Sequence, residues 1–375
     1  MKLRLERDVL ADSVAWAART LPSRPSLPVL AGLVLTASDT GLTLSSFDYE
    51  VSARVDVSAD VTSSGTTLVS GRLLADIARA LPPLPVQIES EGTRISITCG
   101  RSSFTLPTLP VEDYPQLPAM PTSSGVISGQ EFSAAVAQVA VAAGRDDTLP
   151  TLTGIRMEIE GSTIVLAATD RYRLAVRELA WTPESPAVSS HVLVPARTLA
   201  DTAKSLANVD EVVIALAGGG AGEGLIGFEG HGRRTTTRLL DGEFPKYRSL
   251  LPTESAAIAT VDTAALIEAV KRVALVAERN TPVRLEFAGS ELTLRAGAGE
   301  DAQAIDVLES ALEGDAIDIA FNPAYLLDGL AAVGSSVTRF SFTQQSRPAV
   351  LAGVDDSGAA LAEYKYLLMP VRLTG

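Results

Sequence analysis

Residues 72–81 read RLLADIARAL, residues 197–206 read RTLADTAKSL, and residues 324–333 read AYLLDGLAAV. Superimposed, they place Leu74, Leu199 and Leu326 in one column and Asp76, Asp201 and Asp328 in another, with starts 125 and 127 residues apart. Such a spacing is the length of one small domain, so a single unit occurs three times along the chain. Upstream of each copy lies a second matched set: Leu10, Val14 and Ala17, then Phe132, Val136 and Val139, then Leu266, Val270 and Val273. Each set has the i, i+4, i+7 spacing of one apolar helix face, so every repeat opens with an amphipathic helix.

After each opening helix comes a hairpin-like stretch: GLVLTASDTGLTL from Gly32, GIRMEIEGSTIVL from Gly154 and PVRLEFAGSELTL from Pro282. Short alternating runs around glycine-containing turns predict antiparallel strands. Further strands follow the second helix, as in VQIESEGTRISITCG from Val86 and TRFSFTQQSRPAVLAG from Thr338. Asn322 before Pro323 predicts a helix start, with an N-cap side chain and proline at the first helical position, and Ser128 and Asp262 are expected caps of the two later opening helices. Pro- and Ser-rich stretches near residues 115–125 and 250–255 mark boundaries. The expected fold is α+β: three repeated domains, 1–120, 126–250 and 253–375, each with two helices packed on antiparallel sheets.

The chain of 375 residues is 46% hydrophobic and 20% charged, yet no apolar run approaches the roughly 18 residues that span a bilayer. Glu6 and Asp8 interrupt the amino terminus where a signal peptide would be apolar, so a cytoplasmic location is expected. Cys99 is the only cysteine, which rules out an internal disulfide or a multi-cysteine metal site. The formal net charge of −14 argues at first against a nucleic-acid partner. Distribution outweighs the sum, however, because an acidic protein can present a segregated basic face.

Such a face is visible in the repeats. Arg72 and Arg79 lie seven residues apart, two helical turns, and Arg197 and Lys204 occupy the same two positions of the next repeat. The third repeat has no basic residue at either position, but Arg272 and Arg279 keep the separation on its other helix. Arg24, Arg145 and Arg279 follow the opening helices at or near equivalent places. A basic surface of helices without a groove-reading motif predicts salt-sensitive, sequence-independent phosphate contacts.

Catalytic patterns are missing. There is no phosphate loop and no HExxH helix, and the two histidines, His191 and His231, are far apart. GEGLIG at 222–227 formally matches a dinucleotide fingerprint but carries Glu223 and leads towards strand-like residues instead of a helix. Asp146 and Asp147 are adjacent carboxylates with no third ligand and are read as a loop. Neither an enzyme, a cofactor nor a metal is expected.

ATDRYRLAVRE from Ala168, DGEFPKYRSLLP from Asp241, NPAYLLDGL from Asn322, YLLMPVRL from Tyr366 and RPSLPVLAG from Arg24 together resemble the bacterial DNA sliding clamps, the β subunits of the replicative polymerase. GRDDTLPTLTGIR and LVAERNTPVRL, with lysine scarce beside arginine, look like the actinobacterial branch. The resemblance implies a head-to-tail homodimer closing a ring around duplex DNA, a processivity factor that makes and breaks no bond. It implies a DNA face of Arg24, Arg72, Arg79, Arg145, Arg197, Lys204 and Arg279, and a dimer contact of Phe104 with the partner copy's Leu275. It also implies a pocket for short peptides of replicative and translesion polymerases, the clamp loader, ligase and mismatch repair proteins. Its walls would be Leu152, Thr169, Arg171, Tyr172, Arg173, Leu174, Pro245, Leu250, Pro348, Leu367, Met369, Pro370, Val371, Arg372 and Leu373. Many family members have Gly-His in place of Arg171 and Tyr172 and a basic residue in place of Ser249. These departures leave open a second reading, a spare or inhibitor-resistance paralogue with altered partner binding.

Overall fold

A computed structural model describes residues 1–217, 224–277, 281–297 and 302–372. Six α-helices are described: α1 (Arg7–Ala17), α2 (Gly71–Ala80), α3 (Gly129–Ala140), α4 (Ala196–Ser205), α5 (Thr263–Val273) and α6 (Pro323–Val333). They fall two to a repeat, as the paired columns predict. All nine opening-helix residues, Leu10 to Val273, are buried, as are Leu74, Leu199 and Leu326. None of these helices is long and apolar enough to cross a membrane.

Two compact units are present. The first comprises residues 1–130, 182–185 and 201–239. It contains a five-stranded sheet, whose order is Asp60–Ser63, Lys2–Leu5, Val86–Glu91, Arg94–Cys99, Ser102–Pro107, and a nine-stranded sheet. Strand alternation sets the core here: Val86, Ile88, Ile95, Ile97 and Cys99 point in, where they join Leu10 and Val14 of α1 and Leu74 of α2. The Cys99 thiol is held by the carbonyls of Pro82 and Leu84 at 3.3 and 3.2 Å, a structural part. In the nine-stranded sheet the second repeat's strand Arg233–Arg238 pairs antiparallel with the first repeat's Val51–Val57. The Ser52 and Thr236 hydroxyls meet at 2.5 Å in the buried side of this junction. On its outer side Asp56 bridges Arg54 at 3.2 Å and Arg234 at 3.8 Å.

The second unit comprises residues 131–181, 186–200 and 240–375 and repeats the plan. Its nine-stranded sheet joins the second repeat to the third through Arg173–Ala180 against Tyr364–Leu368, with Arg173 opposite Leu368 and Leu174 opposite Leu367. Its four-stranded sheet runs Ala304–Glu309, Glu291–Ala296, Val283–Ala288, Ile317–Phe321. Every strand pairing described is antiparallel, and the three predicted hairpins form, two of them turning on Gly161 and Gly289 at positive φ. Two of the predicted caps are seen as side-chain bonds: the Asp262 carboxylate accepts from the Ala265 amide at 2.7 Å, and Asn322 Oδ1 accepts from Ala324 and Tyr325 at 2.9 and 3.3 Å. Helix α6 ends on Gly334 in the left-handed conformation. Within α6, Gly329 lets the helix lie on the ring of Tyr366, which a methyl there would strike.

These compact units cut through the second repeat, because edge-to-edge strand pairing fuses each of its sheets to a neighbouring repeat. Sequence periodicity finds the repeats but carries no information on which strands pair across them.

Candidate functional site

The segment ATDRYRL makes a tight bend between the strands Thr163–Thr169 and Arg173–Ala180. Asp170 organises it: its carboxylate accepts from the amides of Tyr172 and Arg173 at 3.0 and 3.1 Å, while Thr169 Oγ1 accepts from the Arg171 amide at 3.3 Å and donates to the Arg173 carbonyl at 2.7 Å. Arg171 therefore sits at φ 79°, in the left-handed region where a side chain costs roughly 1–2 kcal/mol that glycine would not. Tyr172 is thrown outward, half exposed, and stacks on Tyr325 of α6 with ring centroids 6.1 Å apart.

Arg173 turns the other way and is buried. Its guanidinium donates to Asp170 at 2.9 Å, to Asp328 of α6 at 2.5 Å and to the Tyr366 hydroxyl at 3.4 Å, with its carbon 4.3 Å from the Tyr325 ring centre. Burial alone would lower its pKa, but the bonds to Asp328, Tyr366 and Asp170 outweigh burial and raise it, so it stays charged. The Tyr366 hydroxyl passes on to the Tyr325 carbonyl at 2.8 Å, and burial pushes its own pKa up. A cavity of about 500 Å³ opens beside this network, lined by Leu152, Arg145, Arg171, Tyr172, Arg173 and Tyr325 among others.

Alternation sends Leu174 to the opposite face of the sheet from Arg173. There it joins a second buried cluster of Ala167, Leu193, Phe244, Tyr247, Val350 and Leu367. The linker that contributes Phe244 and Tyr247 is tied down at Glu158. That carboxylate accepts from Arg156 at 2.6 Å and from the Tyr247 hydroxyl at 3.1 Å, and pairs closely with Arg248. Burial, the largest influence, would raise the Glu158 pKa; the hydrogen bonds from Arg248, Arg156 and Tyr247 together hold it below the ordinary value. Pro245 and Leu250 on this linker remain exposed, as do Met369, Val371 and Arg372 on the tail, whereas Pro348 and Pro370 are half-buried. The Met369 amide donates to the Tyr172 carbonyl at 2.9 Å and the Val371 amide to Ala320 at 2.8 Å, so the tail is docked through residue 371. Leu373 lies outside the described residues.

Of the expected pocket residues that are described, Leu152, Arg171, Tyr172 and Arg173 line the cavity at the bend, and Leu174 and Leu367 belong to the second buried cluster. Thr169, Arg173, Leu174 and Leu367 are buried supports. Tyr325, Asp328, Phe244, Tyr247 and Glu158 are not among the site residues expected from the sequence. Tyr325 and Asp328 were visible within NPAYLLDGL, as were Phe244 and Tyr247 within EFPKY, but which side chains face the bend is fixed by pairings absent from the sequence. Asp146 caps its own loop, accepting from the Thr148 amide and hydroxyl, and these bonds, with a smaller effect of Arg171, lower its pKa. Among the described residues no cluster of three metal-ligating side chains occurs. His191 and His231 are exposed.

The chain matches three family profiles end to end: the DNA polymerase III beta subunit N-terminal domain at residues 1–118, its central domain at 126–246 and its C-terminal domain at 248–372. The chain belongs to the DNA polymerase III β subunit family, the sliding clamps. It is 62% identical over 376 residues to the beta sliding clamp of Streptomyces coelicolor, with all of both chains covered. It is 48% identical to the beta sliding clamp homolog GriR of Streptomyces muensis over 99% of each. A Pseudomonas aeruginosa DnaN sliding clamp bound to griselimycin superposes with a TM-score of 0.92 at 28% identity and full coverage of both chains. The Bacillus subtilis clamp gives 0.91 at 26% identity, covering 100% of this chain and 99% of that one.

For a sliding clamp the basic helices are the other surface of interest. Arg72 and Arg79 on α2 are exposed, and so are Arg197 and Lys204 on α4, while the aspartate between each pair, Asp76 or Asp201, is exposed as well. Arg24 and Arg145 are exposed too; Arg145 lines the cavity at the bend, and Arg279 lies outside the described residues. Arg72 donates to the Pro22 carbonyl at 3.1 Å, and Arg79 stands 3.6 Å from Asp76. Arg272 is held by Asp306 at 2.7 Å. Phe104 is half-buried on the edge strand Ser102–Pro107, and Leu275, just past α5, is 85% exposed. The edge strand Ala304–Glu309 adds exposed Ile305 and Val307, whose alternation in AIDVLE was legible but passed over.

Proposed function

We propose that this sliding clamp works as the processivity factor of chromosomal replication in the cytoplasm: two copies join head to tail into a ring that encloses duplex DNA, slides on it, and tethers polymerases and repair proteins by short peptides. The observation that carries the reading is the recurrence of exposed basic pairs at equivalent places on α2 and α4 in a chain of net charge −14. Contacts of that kind give weak, sequence-blind attraction, which suffices when a ring prevents escape. No bond is made or broken, so no catalytic residue is assigned. Domain limits at 1–120, 126–250 and 253–375 fit this reading. Full-length similarity to the Streptomyces coelicolor clamp supports the replicative role over the spare paralogue.

Ring closure would place the edge Ser102–Pro107 of one copy against Ala304–Glu309 of the next. Each otherwise presents unpaired backbone groups, and Phe104, Leu275, Ile305 and Val307 supply the apolar contact. The bend cavity and the rim around the Leu174 cluster would receive partner peptides, an apolar-walled site with a few polar groups. The test is retention of loaded protein on nicked circular DNA before and after linearisation. A topological clamp is lost on linearisation; unchanged retention would contradict the ring.

A further inference from the structure

We propose that Asp76 and Asp201 keep the grip on DNA weak: each is a counter-charge that competes with phosphate for the basic residues on either side of it, so that the ring slides instead of sticking. The proposal rests on the reading of α2 and α4 as the DNA-facing surface and names the residues that limit its attraction. One position of the repeat carries it. Asp76 lies four residues after Arg72 and three before Arg79, and Asp201 stands in the same relation to Arg197 and Lys204. Residues three and four apart share a helix face, so on both helices a carboxylate lies between the two cations. Arg79 Nη1 is 3.6 Å from the Asp76 carboxylate, with the two side chains 74% and 72% exposed. The other helix of the third repeat follows the same rule, since Lys271 is paired with Glu268 at 2.8 Å and Arg272 with Asp306 at 2.7 Å.

Helix formation does not ask for these aspartates. Both sit in the middle of their helices, Gly71–Ala80 and Ala196–Ser205, clear of the first turn where a carboxylate caps amides or favours the dipole. Aspartate is also among the poorer formers of a helix interior. The third repeat supplies the contrast: α6 lacks both cations, and the aspartate of the same column, Asp328, is turned to use within the protein, on buried Arg173. Where the cations are present, the carboxylate stays out in solvent beside them. A phosphate approaching Arg79 must displace part of its attraction to Asp76 and meets the repulsion of that carboxylate as well. Exposed pairs of this kind are weak, so phosphate contact is reduced and not abolished. Contacts that are cheaply broken let a ring step along the duplex, whereas an uncompensated row of cations would raise the barrier to each step.

The test uses the full chain. Asp76→Asn with Asp201→Asn removes the two counter-charges, and Asp76→Glu with Asp201→Glu keeps them. Glu254→Gln with Asp356→Asn makes the same change of net charge at exposed residues outside the helices. Thermal melting checks that each variant is folded, and if the double asparagine variant melts early the two single variants carry the test. Affinity for short duplexes of unrelated sequence is read by fluorescence anisotropy across a salt series, and movement by single-molecule tracking of rings loaded on stretched DNA. The asparagine pair should bind about five- to twentyfold tighter at low salt, with a slope of log affinity against log salt steeper by about 1–2, and should diffuse at least about twofold more slowly. The glutamate pair and the control pair should match the parent. Asparagine variants that keep the parent's affinity and slope, tighter binding with unchanged diffusion, or a control pair that reproduces the gain would each overturn the proposal while leaving the ring intact. If the parent shows no salt-dependent attraction to duplex at all, the reading of α2 and α4 falls and the proposal falls with it.

Discussion

The guanidinium of Arg173 is enclosed by two carboxylates, a phenol and an aromatic face, and this makes it a support of the site. Replacing it with alanine leaves Asp170 without its buried partner and removes the tie between the bend and α6. Breaking a buried pair costs about 3–5 kcal/mol, and the lower end applies here because the Asp328 side chain is 44% exposed. Urea denaturation of Arg173→Ala should show that loss, and a change under 1 kcal/mol would rule out the supporting role. Arg173→Lys should recover only part of it, since an ammonium cannot span both carboxylates in one plane. Sequence reading picked out Arg173 through a motif and expected a wall; its burial and bonding to Asp328, 155 residues away, required the pairing of Arg173–Ala180 with Tyr364–Leu368.

Among the elements, the linker at 240–251 carries exposed Pro245 and Leu250 on a segment anchored by Phe244, Tyr247 and the Glu158 ion pairs. Because Glu158 is held below the ordinary glutamate pKa of 4.5, its contribution is complete above that value and is lost as pH falls through the lower, folded-state one. Hydrogen exchange of the linker should accelerate as pH drops below the ordinary value, once corrected for intrinsic rates, and Glu158→Gln should show the same acceleration at neutral pH. If exchange in Glu158→Gln matches the parent protein, the anchor lies elsewhere. The helices α2 and α4 make a separate prediction. Neutralising Arg72, Arg79, Arg197 and Lys204 together should flatten the slope of log affinity for duplex DNA against log salt by about 3–4, at roughly 0.9 per phosphate contact, equally on unrelated sequences. A strong dependence on base sequence would contradict the assignment. These helices were the most legible part of the chain, because a 3.6-residue period records which face is buried. The linker anchor was not, because nothing local marks Glu158 as the residue that Arg248 reaches.

For the whole molecule, the proposed ring predicts that Leu275→Asp with Ile305→Asp yields a monomer by light scattering at micromolar concentration, with helix content preserved. A dimer that survives both charges would move the interface off these edges. The strand pairings described above have another consequence, for how this chain can be cut or recombined. Its middle repeat contributes Arg233–Arg238 to a sheet shared with the first repeat and Arg173–Ala180 to a sheet shared with the third. Excised at its sequence boundaries it would carry two freshly opened edges, each a row of unpaired amides and carbonyls ready to pair with any neighbour. The middle repeat, as clearly bounded in the sequence as the other two, is the one least able to live alone, and exchange of parts between relatives should succeed when the borrowed piece brings both strands of a shared pair.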